Sequence, residues 1–173
     1  MLKILHALKC VVFKNLDIKK FIGQFGARIY KFNQLSIIMK YQFLEHTADI
    51  KFRLYGKTLN EIFENAVLAI SEYISRGQKI KPSKGKVIDV SGIDYESLFY
   101  SFLDEIIYLL DAENFLVVKA KVTIRGYNLQ AELFGDKASN YKDLDHIKAA
   151  TYAEMYIKKT EDGFEAQAVL DVW

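Results

Sequence analysis

Asp49 and Asp171 are the residues whose type and surroundings most directly suggest chemistry. Each carboxylate ends an apolar, strand-like run: Phe43-Leu44-Glu45-His46-Thr47-Ala48-Asp49-Ile50 in one case, Ala168-Val169-Leu170-Asp171-Val172-Trp173 in the other. An ionised carboxylate among apolar neighbours is costly unless a cation or hydrogen-bond donors compensate it, and oxygen donors of this kind suit hard ions such as calcium or magnesium. The backbone carbonyl of Val172 can add a further oxygen ligand. A purely structural reading competes with this one, in which Asp49 caps a turn and Asp171 sits at an exposed strand end. Spacing alone favours the structural reading, because two distant Asp residues make no coordination motif.

Other polar groups have weaker claims. His46, three residues before Asp49, can hydrogen-bond across the turn or join a metal shell, although a satisfied structural histidine is the commoner case. Glu45 fits the solvent-facing member of the alternation. Lys148, in His146-Ile147-Lys148-Ala149-Ala150-Thr151-Tyr152, can present a cation to a partner or phosphate, against the alternative of a snorkelling surface lysine. Arg76, Lys79, Lys81, Lys84 and Lys86 form a basic cluster able to meet RNA phosphates, but without interleaved aromatics a solvated loop is favoured. The sequence has no phosphate loop, GxSxG elbow, HExxH helix or EF-hand loop, so it offers no self-sufficient catalytic machinery.

The elements that must position these residues follow from periodicity. Tyr41 and Phe43, then Ile50, Phe52 and Leu54, alternate with polar residues as half-buried strands do, with His46–Asp49 as their connection. Thr58-Leu59-Asn60-Glu61 is a capping box, and Ile62, Phe63, Ala66, Val67, Ile70 and Ile74 follow at helical spacing, predicting a helix over 58–75. Arg76-Gly77 stops it, and a loop around Pro82 leads to a strand at Val87–Val90. Asp94 caps a second helix with a broad apolar stripe from Leu98 to Leu110. The last third is β-rich, with strands predicted near 115–124, 127–134, 149–157 and 164–172, hairpin turns at Gly126 and Gly163, and a polar loop over 135–146. This order predicts an α+β two-layer sandwich: a mainly antiparallel or mixed β-sheet with two principal helices packed on it.

Composition sets the bounds. A chain of 173 residues that is 51% apolar supports one domain with a real core. No apolar run approaches the length of a membrane span, so no membrane role is expected. Cys10 is the single cysteine, which rules out an internal disulfide and makes a reducing cytoplasm the default location. The net charge of +2 hides an asymmetry: residues 1–39 carry seven Lys and Arg against Asp17 alone, leaving −4 for residues 40–173. The basic balance therefore belongs to the leader and does not argue for nucleic-acid binding by the body. Met39 looks like a natural start, and residues 1–38 read as an over-extended reading frame, a basic targeting segment or a real appendage. The expected division is a basic extension at 1–38 and one domain at 39–173.

Several segments together resemble the archease family. They are Met39-Lys40-Tyr41-Gln42-Phe43-Leu44-Glu45-His46-Thr47-Ala48-Asp49-Ile50 and Tyr55-Gly56-Lys57-Thr58-Leu59, then Leu103-Asp104-Glu105 with Tyr108-Leu109. Ile147-Lys148-Ala149-Ala150-Thr151-Tyr152 and Val169-Leu170-Asp171-Val172 complete the set, in order across residues 39–173. The resemblance implies an accessory protein, not an enzyme, that activates the RtcB-type RNA ligase of tRNA splicing and RNA repair. Such a protein promotes guanylylation of the ligase histidine, sustains multiple turnover and broadens nucleotide choice; any contact with tRNA would be indirect. It also implies a divalent cation, calcium, held by Asp49, Asp171 and Val172. Two other functional classes remain in view: a chaperone or adaptor for tRNA-modifying enzymes such as methyltransferases, and a metal-dependent hydrolase, against which the shortage of an evident general base argues. The chain departs from the family pattern in its basic leader, in Trp173 after the usual ending, in Ala153 where relatives often carry His, and in a shortened loop before Lys148.

Overall fold

Alternating burial builds the first two strands. In β1 (Tyr41–Leu44) and β2 (Ile50–Gly56), Tyr41, Ile50, Phe52 and Leu54 turn into the core while Lys51, Arg53 and Tyr55 face away from it. The computed structural model describes residues 39–173; the basic extension and Cys10 lie outside the described residues. After β2 come α1 (Leu59–Ser75), β3 (Lys84–Ser91), α2 (Tyr95–Asp111), β4 (Phe115–Arg125), β5 (Asn128–Lys137), a 3-10 turn at Ala138–Asn140, β6 (Ile147–Thr160) and β7 (Gly163–Val172).

Both helices start where capping chemistry places them. The Thr58 hydroxyl accepts from the Glu61 N–H at 3.2 Å, and the Glu61 carboxylate accepts from the Lys57 N–H at 2.8 Å. At α2 the Asp94 carboxylate accepts from the Ser97 N–H at 2.7 Å, and the Ser97 hydroxyl returns the favour by accepting from the Asp94 N–H at 3.1 Å. These bonds satisfy amides that have no partner inside the helix. Arg76 ends α1 in the left-handed conformation (φ 51°).

The α+β class and the two helices are as expected, while the strands divide between two sheets. One has the order β1-β2-β7-β6 and the other β3-β5-β4, with antiparallel pairing throughout. Each helix touches both sheets: α1 packs on β4 and β2, α2 on β6, β4 and β3. The core lies between, centred on Phe63 of α1 with Phe99 and Phe102 of α2, whose rings meet edge to face at 5.1 and 5.4 Å. Close packing also fixes a backbone position. A Cβ at Gly135, where β5 runs between β3 and β4, would sit 2.1 Å from the Leu116 carbonyl oxygen, so only glycine fits.

The helices also blunt two sheet edges. Glu64 of α1 accepts from the Val122 N–H of edge strand β4 at 3.0 Å, and Glu96 of α2 accepts from the Ile157 N–H of edge strand β6 at 3.1 Å. A carboxylate occupying an edge amide removes a position at which another chain could add a strand.

The loop between β5 and β6 is pinned by one carboxylate. Asp136 accepts from the Ser83 hydroxyl at 2.8 Å, the Tyr141 hydroxyl at 2.8 Å, the Lys137 N–H at 2.9 Å and the Asn140 amide at 3.3 Å. Those donors, the two hydroxyls foremost, hold its carboxyl down at about 2, against 3.8 for a free aspartate. A depressed folded-state value means that this clasp stabilises the fold above pH 3.8 and is lost as pH falls towards 2. Asp136→Asn should therefore melt below the parent at neutral pH, with the gap closing between those two values in a pH series of thermal melts. A gap independent of pH would show that the charge is not what matters.

Candidate functional site

The candidate site is assembled by the register of β2 on β7. Their antiparallel ladder runs from Gly56↔Phe164 to Ile50↔Leu170, and one residue further along both strands stand Asp49 and Asp171. Asp49 lies in the bend just before β2, and Asp171 lies within β7. Two carboxylates 122 residues apart in sequence are thus brought to the same end of the four-stranded sheet. Both are partly exposed. Val172 follows on β7, where it pairs with Ile147 of β6.

His46 and Glu154 complete the surroundings. His46 lies with Nδ1 3.5 Å from Asp49 Oδ2 and Nε2 3.7 Å from Glu154 Oε1. Lys51 donates from Nζ to Glu154 Oε2 at 2.5 Å, and this bond holds the Glu154 carboxyl below the usual range. The imidazole therefore sits between two carboxylates, and one of them is already paired with a lysine. Neither Glu154 nor Lys51 stands out in the sequence. The one signal for Glu154 is the broken alternation at Tyr152-Ala153-Glu154-Met155.

The other candidates are dispersed. Glu45 is exposed just past β1. Lys148 is an extra residue at a register shift beside Asp171, with its ammonium 5.1 Å from the Trp173 ring centroid, in cation–π range. His146 is exposed, next to Asp145, which pairs with Arg76. The basic loop is partly neutralised: Arg76 is held by Asp145 and Lys86 by Glu113. A groove of about 440 Å³ lies on the other sheet, where Asp89, Thr123, Arg125 and Gln130 line it, so it does not include Asp49 or Asp171.

A second polar chain crosses the same sheet further along. Tyr156 donates to Glu165 at 2.7 Å, Lys158 donates to that carboxylate at 2.8 Å, and Arg53 approaches it at 3.7 Å. Burial and the bond to Glu165 push the Tyr156 phenol up to about 12, so it keeps the proton it donates to Glu165.

Chemically, the pair fits an oxygen-seeking cation. Two carboxylates at one sheet end with a backbone carbonyl next in sequence are donors of the class that calcium and magnesium prefer. Among the described residues no three His, Cys, Asp or Glu side chains are arranged to hold a metal ion, so a cation here would take its remaining ligands from backbone or water oxygens.

Comparison with known proteins settles the family. The model of the Archease protein family matches residues 41–172. The chain belongs to the archease family. Archease from Methanosarcina barkeri is 39% identical over 141 residues, covering 77% of this chain and 96% of that protein. Archease from Pyrococcus abyssi is 36% identical over 140 residues, covering 77% and 99%. A solution structure from Methanobacterium thermoautotrophicum superimposes with a TM-score of 0.65 at 26% identity, over 77% of this chain and 99% of that one. A Thermotoga maritima crystal structure, described as an archease and possible chaperone, has the same fold, with a TM-score of 0.55 at 21% identity over 75% and 94% of the two chains. No helix of the described residues is long and apolar enough to cross a membrane.

Proposed function

We propose that this protein is an accessory activator of an RtcB-type RNA ligase, promoting guanylylation of the ligase histidine and repeated turnover and broadening nucleotide choice, in tRNA splicing and RNA repair. It acts in this reading through a divalent cation, calcium, held by Asp49, Asp171 and the Val172 carbonyl. The observation that supports the proposal is the β2–β7 register, whose last pair, Ile50↔Leu170, leaves Asp49 and Asp171 next along at the same partly exposed sheet end in a chain of the archease family. An exposed carboxylate pair suits delivery of charge into a partner's active centre better than turnover of a small substrate.

A divalent cation bound there would place positive charge beside the ligase metals or the triphosphate, where electrostatic positioning dominates nucleotidyl transfer. The chain's own groups do the rest. Asp49 and Asp171 face the partner from one sheet end, the β2–β7 ladder fixes their separation, and the acidic body of residues 40–173 suits a ligase surface that is basic because it binds RNA.

The test is a guanylylation assay with the cognate ligase, run without this protein, with the full chain and with a form starting at Met39. Faster label transfer to the ligase and more than one ligation per enzyme are expected with both forms. No stimulation by either form would reject the function, and stimulation by the full chain alone would assign a role to residues 1–38. Activation of tRNA-modifying enzymes without any effect on the ligase would favour the adaptor reading instead.

A further inference from the structure

Glu154 owes its position to a defect in the β6–β7 ladder. Register is lost between Thr151↔Val169 and Tyr156↔Gln167, so four residues of β6, 152 to 155, stand against Ala168 alone. An excess of that size bends a strand and re-aims its side chains. Glu154 adopts the left-handed conformation within the bulge, with φ 53°, which is disfavoured for a residue bearing a Cβ. The buried Gln167 holds it there, donating from its side-chain amide to the Glu154 carbonyl at 3.0 Å, while the Ala153 N–H donates to the Thr151 hydroxyl at 3.1 Å.

The consequence is electrostatic. Lys51 stands on β2 two residues after Asp49, and an ammonium so near a pair of carboxylates would serve as their counter-ion if nothing else engaged it. An internal cation competes with an external one for the same oxygens. The bulge supplies a different acceptor: Glu154 binds Lys51 at 2.5 Å and draws on one nitrogen of His46, whose other nitrogen faces Asp49. Lys51 keeps only 16% of its side-chain surface exposed while Glu154 keeps 53%, so the lysine is the anchored member of the pair.

We propose that Glu154 is a positioning residue of the Asp49–Asp171 site, which by engaging Lys51 keeps the two aspartates from being neutralised from within and leaves them open to a divalent cation. The proposal rests on the cation reading of the previous subsection. It concerns the Lys51–Glu154 pair, which that reading does not include.

A double-mutant cycle on the full chain tests it. Terbium(III), a hard oxygen-seeking probe, is titrated and followed by emission sensitised through Trp173, the single tryptophan of the chain, next to Val172, with calorimetric titration of calcium as a second measure. Glu154→Gln is expected to weaken terbium affinity about tenfold or more, the size typical of groups that orient metal ligands. Lys51→Met alone should shift affinity far less, because its charge is already engaged, and the double variant should return to within about twofold of the parent. Recovery in the double variant is what a merely structural role of Glu154 cannot produce. Affinity unchanged in Glu154→Gln overturns the proposal and leaves the cation site standing. Equal and opposite shifts in the two single variants also overturn it, since they would report net charge alone. A parent protein that binds neither ion removes the cation reading and this proposal together.

Discussion

Asp49→Ala and Asp171→Ala are each expected to reduce ligase guanylylation to the rate of the ligase alone, while the fold survives. Either substitution takes one of two carboxylates from the proposed cation site, and a lone carboxylate at a partly exposed position does not retain a divalent ion at ordinary concentrations. The structural cost is small for a physical reason. Asp49 lies in the bend just before β2, and Asp171, although paired with Ala149 through its backbone, keeps a partly exposed side chain, so neither side chain belongs to the buried core. Substitutions at such positions usually change stability by less than about 0.5–1 kcal/mol. The measurement is label transfer to the ligase histidine alongside thermal melts of each variant. Full stimulation by a well-folded Asp49→Ala protein would sink the proposed mechanism, because that mechanism assigns the cation to Asp49 and Asp171 together.

Phe102→Ala is expected to be strongly destabilising. Phe102 is fully buried on α2, and its ring meets Phe63 of α1, which also meets Phe99. The helices are sandwiched by both sheets, so the cavity cannot collapse without moving an element that other contacts hold in place. Truncation of a buried phenylalanine costs about 3–5 kcal/mol, a large share of the roughly 5–15 kcal/mol that a domain has in total. Chemical denaturation should show a lower midpoint with an unchanged slope, and Phe102→Leu should recover most of the loss. A loss below about 1 kcal/mol for the alanine variant would mean that the aromatic cluster is not the keystone of the core.

Local features were legible because their causes are local. The Thr58 and Asp94 caps mark both helix starts within a residue, since a side chain three positions away satisfies the free amides. The Gly163 turn, with φ 143°, joins β6 to β7 where the residue types indicate a turn. Strand ends were less legible. β3 begins at Lys84, inside a stretch whose lysines, glycine and proline read as loop, because pairing with β5 overrides weak local propensity there. β6 is longer than the pattern suggests, as its bulge interrupts the alternation that would have marked it as one strand.

The sequence by itself determined which residues are chemically unusual, where the helices begin and which side chains turn inward, since each depends on neighbours only a few positions away. The resemblance carried by its motifs identified the family. Only the tertiary structure decided that the strands split into two sheets, that Asp49 and Asp171 lie just past the same end of one ladder, and that Glu154 reaches Lys51 and His46 across β7. The physical reason is that alternation fixes which face a residue takes, whereas strand order and register depend on packing between segments far apart in the chain.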